Sequence, residues 1–248
     1  MKNPNAIINS DYGLIIININ DTTIGKSISQ NGYWAIEDIN LIKMLIDIQL
    51  QRCNSITFYD VGANIGTHSL ALSKCFPEKI KIRAFEAQRQ IYNMLCGTVA
   101  INGLQNVYCH NIAIGDKDGE TLQLNLPDYD SPNNFGGFEL IKPLTSDNQD
   151  LSKFGAEVVS TIRIDSFDEK VDFIKMDIEG MEDKALSGSV KTIETHRPIC
   201  FVETMKSDIN FIFEFFKSRN YIGFQKEFDL IAIPFEYELN ITGINGVF

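Results

Sequence analysis

Apolar residues recur along this chain in two rhythms, and the switch between them predicts its elements. From residue 56 onward, short apolar runs alternate with segments of helical spacing. Ile56–Val61 reads as a strand, Thr67–Cys75 as a helix and Ile80–Phe85 as a strand. Gln90–Asn102 reads as a helix and Val107–Ala113 as a strand. Repeated β-α-β alternation predicts an α/β fold, with a doubly wound, mostly parallel sheet covered by helices on both faces.

The flanks have a different pattern. Tyr12–Asn18 and Thr23–Ser29 read as short strands joined by a polar turn, and Ile39, Leu41, Ile42, Leu45 and Ile46 give Glu37–Leu50 helical spacing. Residues 1–52 are therefore expected to form a small β-hairpin/helix cap, part of the same unit as a main domain at 53–248. Residues 115–160 interrupt the β-α rhythm. A turn at Gly115–Gly119 leads to a strand at Glu120–Leu126 and a polar stretch, Pro127–Gly137. A polar loop of that length inside a compact domain points to a lid or binding loop. Val158–Ile164 and Phe173–Met176 read as strands, Glu182–Ser187 as a helix, Ile199–Val202 as a strand and Ile209–Ser218 as an apolar helix. Ile222–Phe224 and Leu230–Ile233 read as closing strands.

Charge and composition narrow the function classes. A net charge of −11 argues against a duplex nucleic-acid binder, which needs a Lys/Arg surface to neutralise phosphates. No run of about 18 apolar residues exists to span a membrane, and Met1–Asn5 has no apolar signal core. Cys53, Cys75, Cys96, Cys109 and Cys200 form no CxxC pair, so neither a disulfide framework nor a zinc site is expected. Buried thiols in a reducing cytoplasm are the expectation, and the glycosylation sequons at Asn20 and Asn240 are then chance matches. A homo-oligomer is compatible with this composition.

The chemistry centres on Asp60-Val61-Gly62-Ala63-Asn64-Ile65-Gly66-Thr67, where a strand passes through a glycine-bearing turn into a helix. Such a turn brings a nucleotide-like ligand close to the backbone, and the helix start offers free N–H groups to an anionic part of it. A dinucleotide fingerprint needs G-x-G-x-x-G. Counting from Gly62, its other two glycine positions hold Asn64 and Thr67. The run fits D-x-G-x-x-x-G instead. Asp60 would repel a pyrophosphate and suits a ligand with an ammonium group, such as the methionine end of S-adenosyl-L-methionine. Glu86 ends the next strand, 20 residues past Gly66, where a carboxylate can accept hydrogen bonds from both ribose hydroxyls. One strand later, Asn111 and the backbone at Ile112–Ala113 are placed to read an adenine edge. The expected cofactor contacts are thus Asp60, Gly62, Ala63, Asn64, Gly66, Thr67, Glu86, Ala87, Asn111, Ile112, Ala113 and Asp177.

These residues resemble the FkbM-type methyltransferases. The matching stretches are Asp60–Gly66, Phe85–Ala87, Asn111–Asp116, Thr161–Asp165, Ile174–Glu182 and Arg197–Glu203, and Lys175–Glu182 is the most family-specific. Two positions depart from the family's habit: Gln88 stands where Pro is frequent, and Met181 where Ala or His is common. The resemblance implies a Rossmann-like class I methyltransferase sheet of about seven strands. It also implies methyl transfer to oxygen on a small molecule, a sugar or secondary metabolite.

Asp177 and Glu179 follow the strand Phe173–Met176, and side chains two apart on an extended segment point the same way. Both carboxylates are expected at the transferring methyl, Asp177 as base or acceptor-orienting group and Glu179 assisting it. The bland alternative makes them caps of the helix that follows. Lys175 is expected to pair with a carboxylate, and Glu182 and Asp183 to open the helix. No metal centre is predicted; Asp177 and Glu179 are the oxygen donors a divalent cation would find. His68 follows the glycine turn, and a structural role outweighs contact with cofactor or acceptor. Asn133, Asn134, Gly136 and Gly137 are expected to approach the pocket from the long loop, with Tyr33, Trp34 and Glu37 closing the other side. Competing readings are a nicotinamide oxidoreductase, a methyltransferase-fold binding protein without activity, an N-methyltransferase and a nucleic-acid methyltransferase.

Overall fold

The computed structural model describes residues 3–137, 156–239, 241 and 243–248. The sequon at Asn240, and Met1 and Lys2 at the start, lie outside the described residues. The chain opens with β1 (Asn5–Ser10), β2 (Gly13–Asn18), α1 (Ile24–Asn31) and α2 (Ile36–Leu50). The alternating core follows: β3 (Ile56–Val61), α3 (Thr67–Cys75), β4 (Ile80–Phe85), α4 (Arg89–Ile101) and β5 (Val107–His110). Three strands, β6 (Ala113–Ile114), β7 (Thr121–Asn125) and β8 (Ala156–Ile162), form a separate small sheet. The remainder is β9 (Phe173–Met176), α5 (Glu182–Ser187), α6 (Val190–His196), β10 (Ile199–Glu203), α7 (Ile209–Lys217), β11 (Tyr221–Lys226), β12 (Asp229–Pro234) and β13 (Asn245–Gly246).

The main sheet runs β13-β11-β12-β10-β9-β3-β4-β5. Strands β5, β4, β3, β9 and β10 are mutually parallel, and β12, β11 and β13 add antiparallel pairs at one edge. Eight strands are thus seen among the described residues, the eighth being the two-residue β13. The chain winds outward from β3 through β4 to β5, then returns to lay β9 on the opposite side of β3. That reversal opens a crevice at the carboxyl ends of β3 and β9, where ligands bind in open α/β sheets.

Adjacent residues in the central strands face opposite layers, so these strands need apolar residues on both faces. Phe58 and Phe173 meet the layer containing Ile42, Leu45, Leu72 and Leu95, their rings stacked at 5.1 Å. Their neighbours Tyr59 and Ile174 face Ala185, Leu186, Ile193, Ile212 and Phe216. The β1–β2 hairpin packs through Ile15 and Ile17 onto Leu70, Ile91 and Met94. Its free edge is satisfied by side chains of α4 and of the residue that caps it: Ile16 N–H donates to Thr98 Oγ1 at 3.1 Å and Leu14 N–H to Asn102 Oδ1 at 3.2 Å.

Three expectations are corrected. Thr23–Ser29 is helical, within α1, and the hairpin partner of β2 lies upstream at Asn5–Ser10. Ile24 and Ile28 are four apart, a spacing that fits both periods. The decision falls to Asp21, whose carboxylate accepts from Thr23 N–H at 3.0 Å and Gly25 N–H at 2.9 Å and satisfies the helix start. The expected strand Val107–Ala113 splits after His110, and Ala113–Ile114 pairs with β8 in the small sheet. The amide of Asn111 binds the carbonyls of Glu86 and Ala87 at 2.9 and 3.0 Å, turning the chain away there. Helix α6 was not expected, because Val190–His196 is polar at most positions and presents only Thr192 and Ile193 to the interior. Among the described residues, no helix is long and apolar enough to cross a membrane.

Replacing Phe173 by Ala removes one ring of the stacked pair from the centre of the sheet. Denaturant unfolding should show a loss of about 3–5 kcal/mol, with the crevice at the carboxyl ends of β3 and β9 perturbed only secondarily.

Candidate active site

Strand β3 ends in a turn that lies directly on the end of β9. Gly62 has φ of 78°, and a Cβ there would come within 1.8 Å of the Asp177 carbonyl oxygen. Only glycine permits that approach. Gly62 and Ala63 N–H both donate to the Phe85 carbonyl, at 3.0 and 2.9 Å. Gly66 precedes α3 with φ of 91° and faces Leu95, where a Cβ would lie 2.7 Å from Cδ1.

Beneath the turn sits Lys175, almost completely buried in β9. Its Nζ donates to the Gly62 carbonyl at 2.9 Å and lies 3.7 Å from Asp60 Oδ1 and 3.6 Å from Asp177 Oδ2. Asp60 Oδ2 accepts from Ser69 Oγ at 2.7 Å. Asp60 is therefore buried under the turn and absent from the cavity wall; the sequence placed it facing a ligand ammonium.

The crevice contains a cavity of about 430 Å³. Gly62, Ala63, Asn64, Thr67, Glu86 and Ala87 line one side, with Ile112 and Ala113 beyond them. Asp177 and Glu179 face them from the end of β9. Of the expected contacts, Asp60, Gly66 and Asn111 are not on the wall: Gly66 packs inward and Asn111 spends its amide on the Glu86 and Ala87 carbonyls. Trp34 lines the cavity; Tyr33 and Glu37 do not.

Glu86 sits at the end of β4, 7% exposed. Its Oε2 accepts from Asn64 N–H at 3.0 Å and its Oε1 from Gln88 N–H at 2.8 Å. Burial outweighs those bonds and pushes its carboxyl up to about 7. One N–H per oxygen leaves lone pairs free on each.

The segment after β9 is fixed by a residue other than Asp177 and Glu179, which the alternative reading made caps. Glu182, fully buried, accepts from Ile178 N–H at 2.7 Å, from Gly180 N–H at 3.0 Å and from the Ser207 hydroxyl. That frees Asp177 and Glu179 to face the cavity. Glu179 has φ of 57°, so its side chain leaves the strand line and meets Lys206, whose Nζ also donates to the Gly137 carbonyl at 3.0 Å. Burial first, and the nearby Asp177 second, push the Glu179 carboxyl up to about 7.

Sequence reasoning left out Glu203 as a site residue. It ends β10 beside Asp177, lines the cavity and has an Oε2 that is buried with no hydrogen-bond partner. Burial, then Asp177 and Glu179, push its carboxyl up to about 9. The signal was legible, since an acid closing an apolar strand had already pointed to Asp177. His68 also lines the cavity, and burial holds its imidazole below the usual range.

The loop at 127–137 covers one flank. Tyr129 OH donates to Gln88 Oε1 and Gln88 Nε2 to the Phe135 carbonyl, both at 3.0 Å. Thr22 N–H donates to the Asn133 carbonyl at 2.8 Å, joining this loop to the N-terminal segment. Asn134, Gly136 and Gly137 reach the wall, whereas Asn133 does not. Gln88, which departs from the habit seen in the resemblance, is thus the loop's anchor. Among the described residues, no group of three or more His, Cys, Asp or Glu side chains is arranged to hold a metal ion.

Comparison with known proteins agrees with this geometry at the level of fold and family. A solved structure of methyltransferase FkbM from Methylobacillus flagellatus KT superposes with a TM-score of 0.52 at 20% identity, over 72% of this chain and 44% of that one. A structure of monomeric WbdD superposes with a TM-score of 0.50 at 9% identity, over 85% of this chain and 44% of that one. The chain thus spans less than half the length of either. No curated protein matches it. The profile of the methyltransferase FkbM domain matches residues 60–222, about two thirds of the chain. The chain belongs to the FkbM methyltransferase family.

Proposed function

We propose that this protein is an S-adenosylmethionine-dependent methyltransferase that methylates a hydroxyl group of a small molecule, a sugar or a secondary metabolite. The observation that carries the reading is Glu86, a buried carboxyl with unused lone pairs on both oxygens, opening into the same cavity as Asp177. Such a group fits a ribose diol, which presents two hydroxyl donors side by side. The apolar wall at Phe85, Ile112 and Ala113 fits adenine, and the Gly62–Asn64 backbone with Thr67 fits the methionine end. An acidic wall at Asp177, Glu179 and Glu203 suits a positively charged sulfur.

When bound, the cofactor would supply a methyl group on a positively charged sulfur that is a good leaving group. The protein's task is to orient the acceptor and handle its proton. Asp177, held in place by its own N–H on the Val61 carbonyl at 3.0 Å, accepts a hydrogen bond from a second donor of the acceptor, beside the reacting hydroxyl, and so aims it. Glu179, fixed by Lys206, binds a neighbouring donor of the acceptor. Residues 1–52 act in this reading as a cap within the same unit as 53–248, closing the acceptor side with Thr23, Ile24 and Trp34.

Calorimetric titration with S-adenosylmethionine and with NAD tests the cofactor reading. Binding of the first and not the second is expected; the reverse would overturn it. Glu86→Gln should weaken the affinity for S-adenosylmethionine about 10- to 100-fold, the loss of hydrogen bonds to a charged group. Asp177→Asn should lower methyl-transfer turnover roughly 100-fold while leaving the Kd of S-adenosylhomocysteine, whose sulfur is uncharged, nearly unchanged. Protonation removes acceptor capacity from Glu86, so affinity for S-adenosylhomocysteine should fall as pH drops from 8 to 6, through about 7. The same titration on Glu86→Gln should be flat.

A further inference from the structure

Three carboxyls reach the acceptor side of the cavity, and two of them have cationic partners. Asp177 Oδ2 lies 3.6 Å from Lys175 Nζ, and Glu179 is paired with Lys206. Glu203 differs. Val202 pairs with Met176 and Met176 with Val61, so Gly62, Asp177 and Glu203 stand at one level on three adjacent parallel strands. Parallel neighbours are about 4.8 Å apart, which puts Glu203 within one strand spacing of Asp177. Its Oε2 is buried and accepts no hydrogen bond among the described residues. Cross-strand, it faces Asp229 of β12.

We propose that the Glu203 carboxyl receives the acceptor's proton, and that the positive charge of the bound cofactor is what empties this carboxyl to do so. The inference rests on the cofactor reading above.

An ionised carboxylate with an orphaned buried oxygen is costly, so the empty cavity favours a protonated Glu203. The charges facing it act in the same direction. Asp177 and Glu179 after β9, Glu182 on α5 and Asp229 on β12 surround it with acids. Lys206, three residues on, and Lys175 of β9 oppose them, and each is engaged with carboxylates nearer to it. Farther out, Lys226 of β11 is matched by Asp38 and Glu37 of α2. Near neutral pH the unloaded protein therefore keeps a proton on Glu203, in accord with a carboxyl pushed up to about 9. A unit positive charge entering the cavity favours the carboxylate and expels that proton to solvent. Glu203 then regains a proton from the acceptor as the acceptor's oxygen takes the methyl group. The sulfide that remains is uncharged, so Glu203 ends the cycle protonated, as it began. One proton leaves to solvent for each acceptor proton consumed, and the balance closes without another reactant.

S-adenosylmethionine and S-adenosylhomocysteine differ in charge only at sulfur, so they isolate the effect. We would titrate each calorimetrically at pH 8 in buffers of different ionisation enthalpy and read the protons released. At that pH Glu86 and Glu179, both near 7, are largely ionised already. The expected result is a release approaching one proton more for S-adenosylmethionine than for S-adenosylhomocysteine, with the difference lost in Glu203→Gln although both ligands bind. Equal release by the two ligands in the unmodified protein, or an undiminished difference in the variant, overturns the proposal. If the variant does not fold, the unmodified protein decides alone. Its preference for the methylated ligand should rise with pH from 7 towards about 9, and a constant ratio of affinities is the overturning outcome. Failure of both ligands to bind would instead defeat the cofactor reading, a different result from equal proton release.

Discussion

One buried ammonium group organises the site. Lys175 Nζ lies among the Gly62 carbonyl, Asp60 and Asp177, at the junction where the chain reverses its winding direction. A lone charge at that depth would be untenable, and the two carboxylates and one carbonyl make it tolerable. The same contacts bind the glycine turn to the end of β9. The backbone of the glycine turn and the Asp177 carboxylate are therefore tied together through one group at the strand ends.

Around that junction the carboxyls divide by environment. Glu182, wrapped by backbone N–H groups and a serine hydroxyl, shapes the loop after β9. Glu86 is half-satisfied and open to a ligand, while Glu203 keeps an oxygen without a partner. The residue type is common to all three, and the number of donors around each sets what it can do. The acidity of the whole chain, −11, gives no hint of this division.

The parallel core was legible because its signals are local. Ile56–Val61, Ile80–Phe85 and Phe173–Met176 are each built mainly of apolar residues, with polar ones such as Asp60, Arg83 and Lys175 only interspersed, and their bounds follow from the runs themselves. The N-terminal segment was less so, since Ile24 and Ile28 fit either period and the outcome depended on Asp21 reaching the free N–H groups of α1. Strand β5 ended early for a tertiary reason, the grip of Asn111 on the next loop's carbonyls.

For the site, the sequence by itself determined the turn Asp60–Gly66, the acid Glu86 and the acids Asp177 and Glu179, because each stands at a fixed offset from a strand end. Which of these face the cavity only the tertiary structure decided. Asp60 is turned inward because Lys175, far away in sequence, needs a counter-charge. Glu203 is turned towards Asp177 because β10 pairs in register with β9. Periodicity assigns a residue to an element, but charge pairing and strand register across the sheet assign it a neighbour, and function at this crevice depends on neighbours.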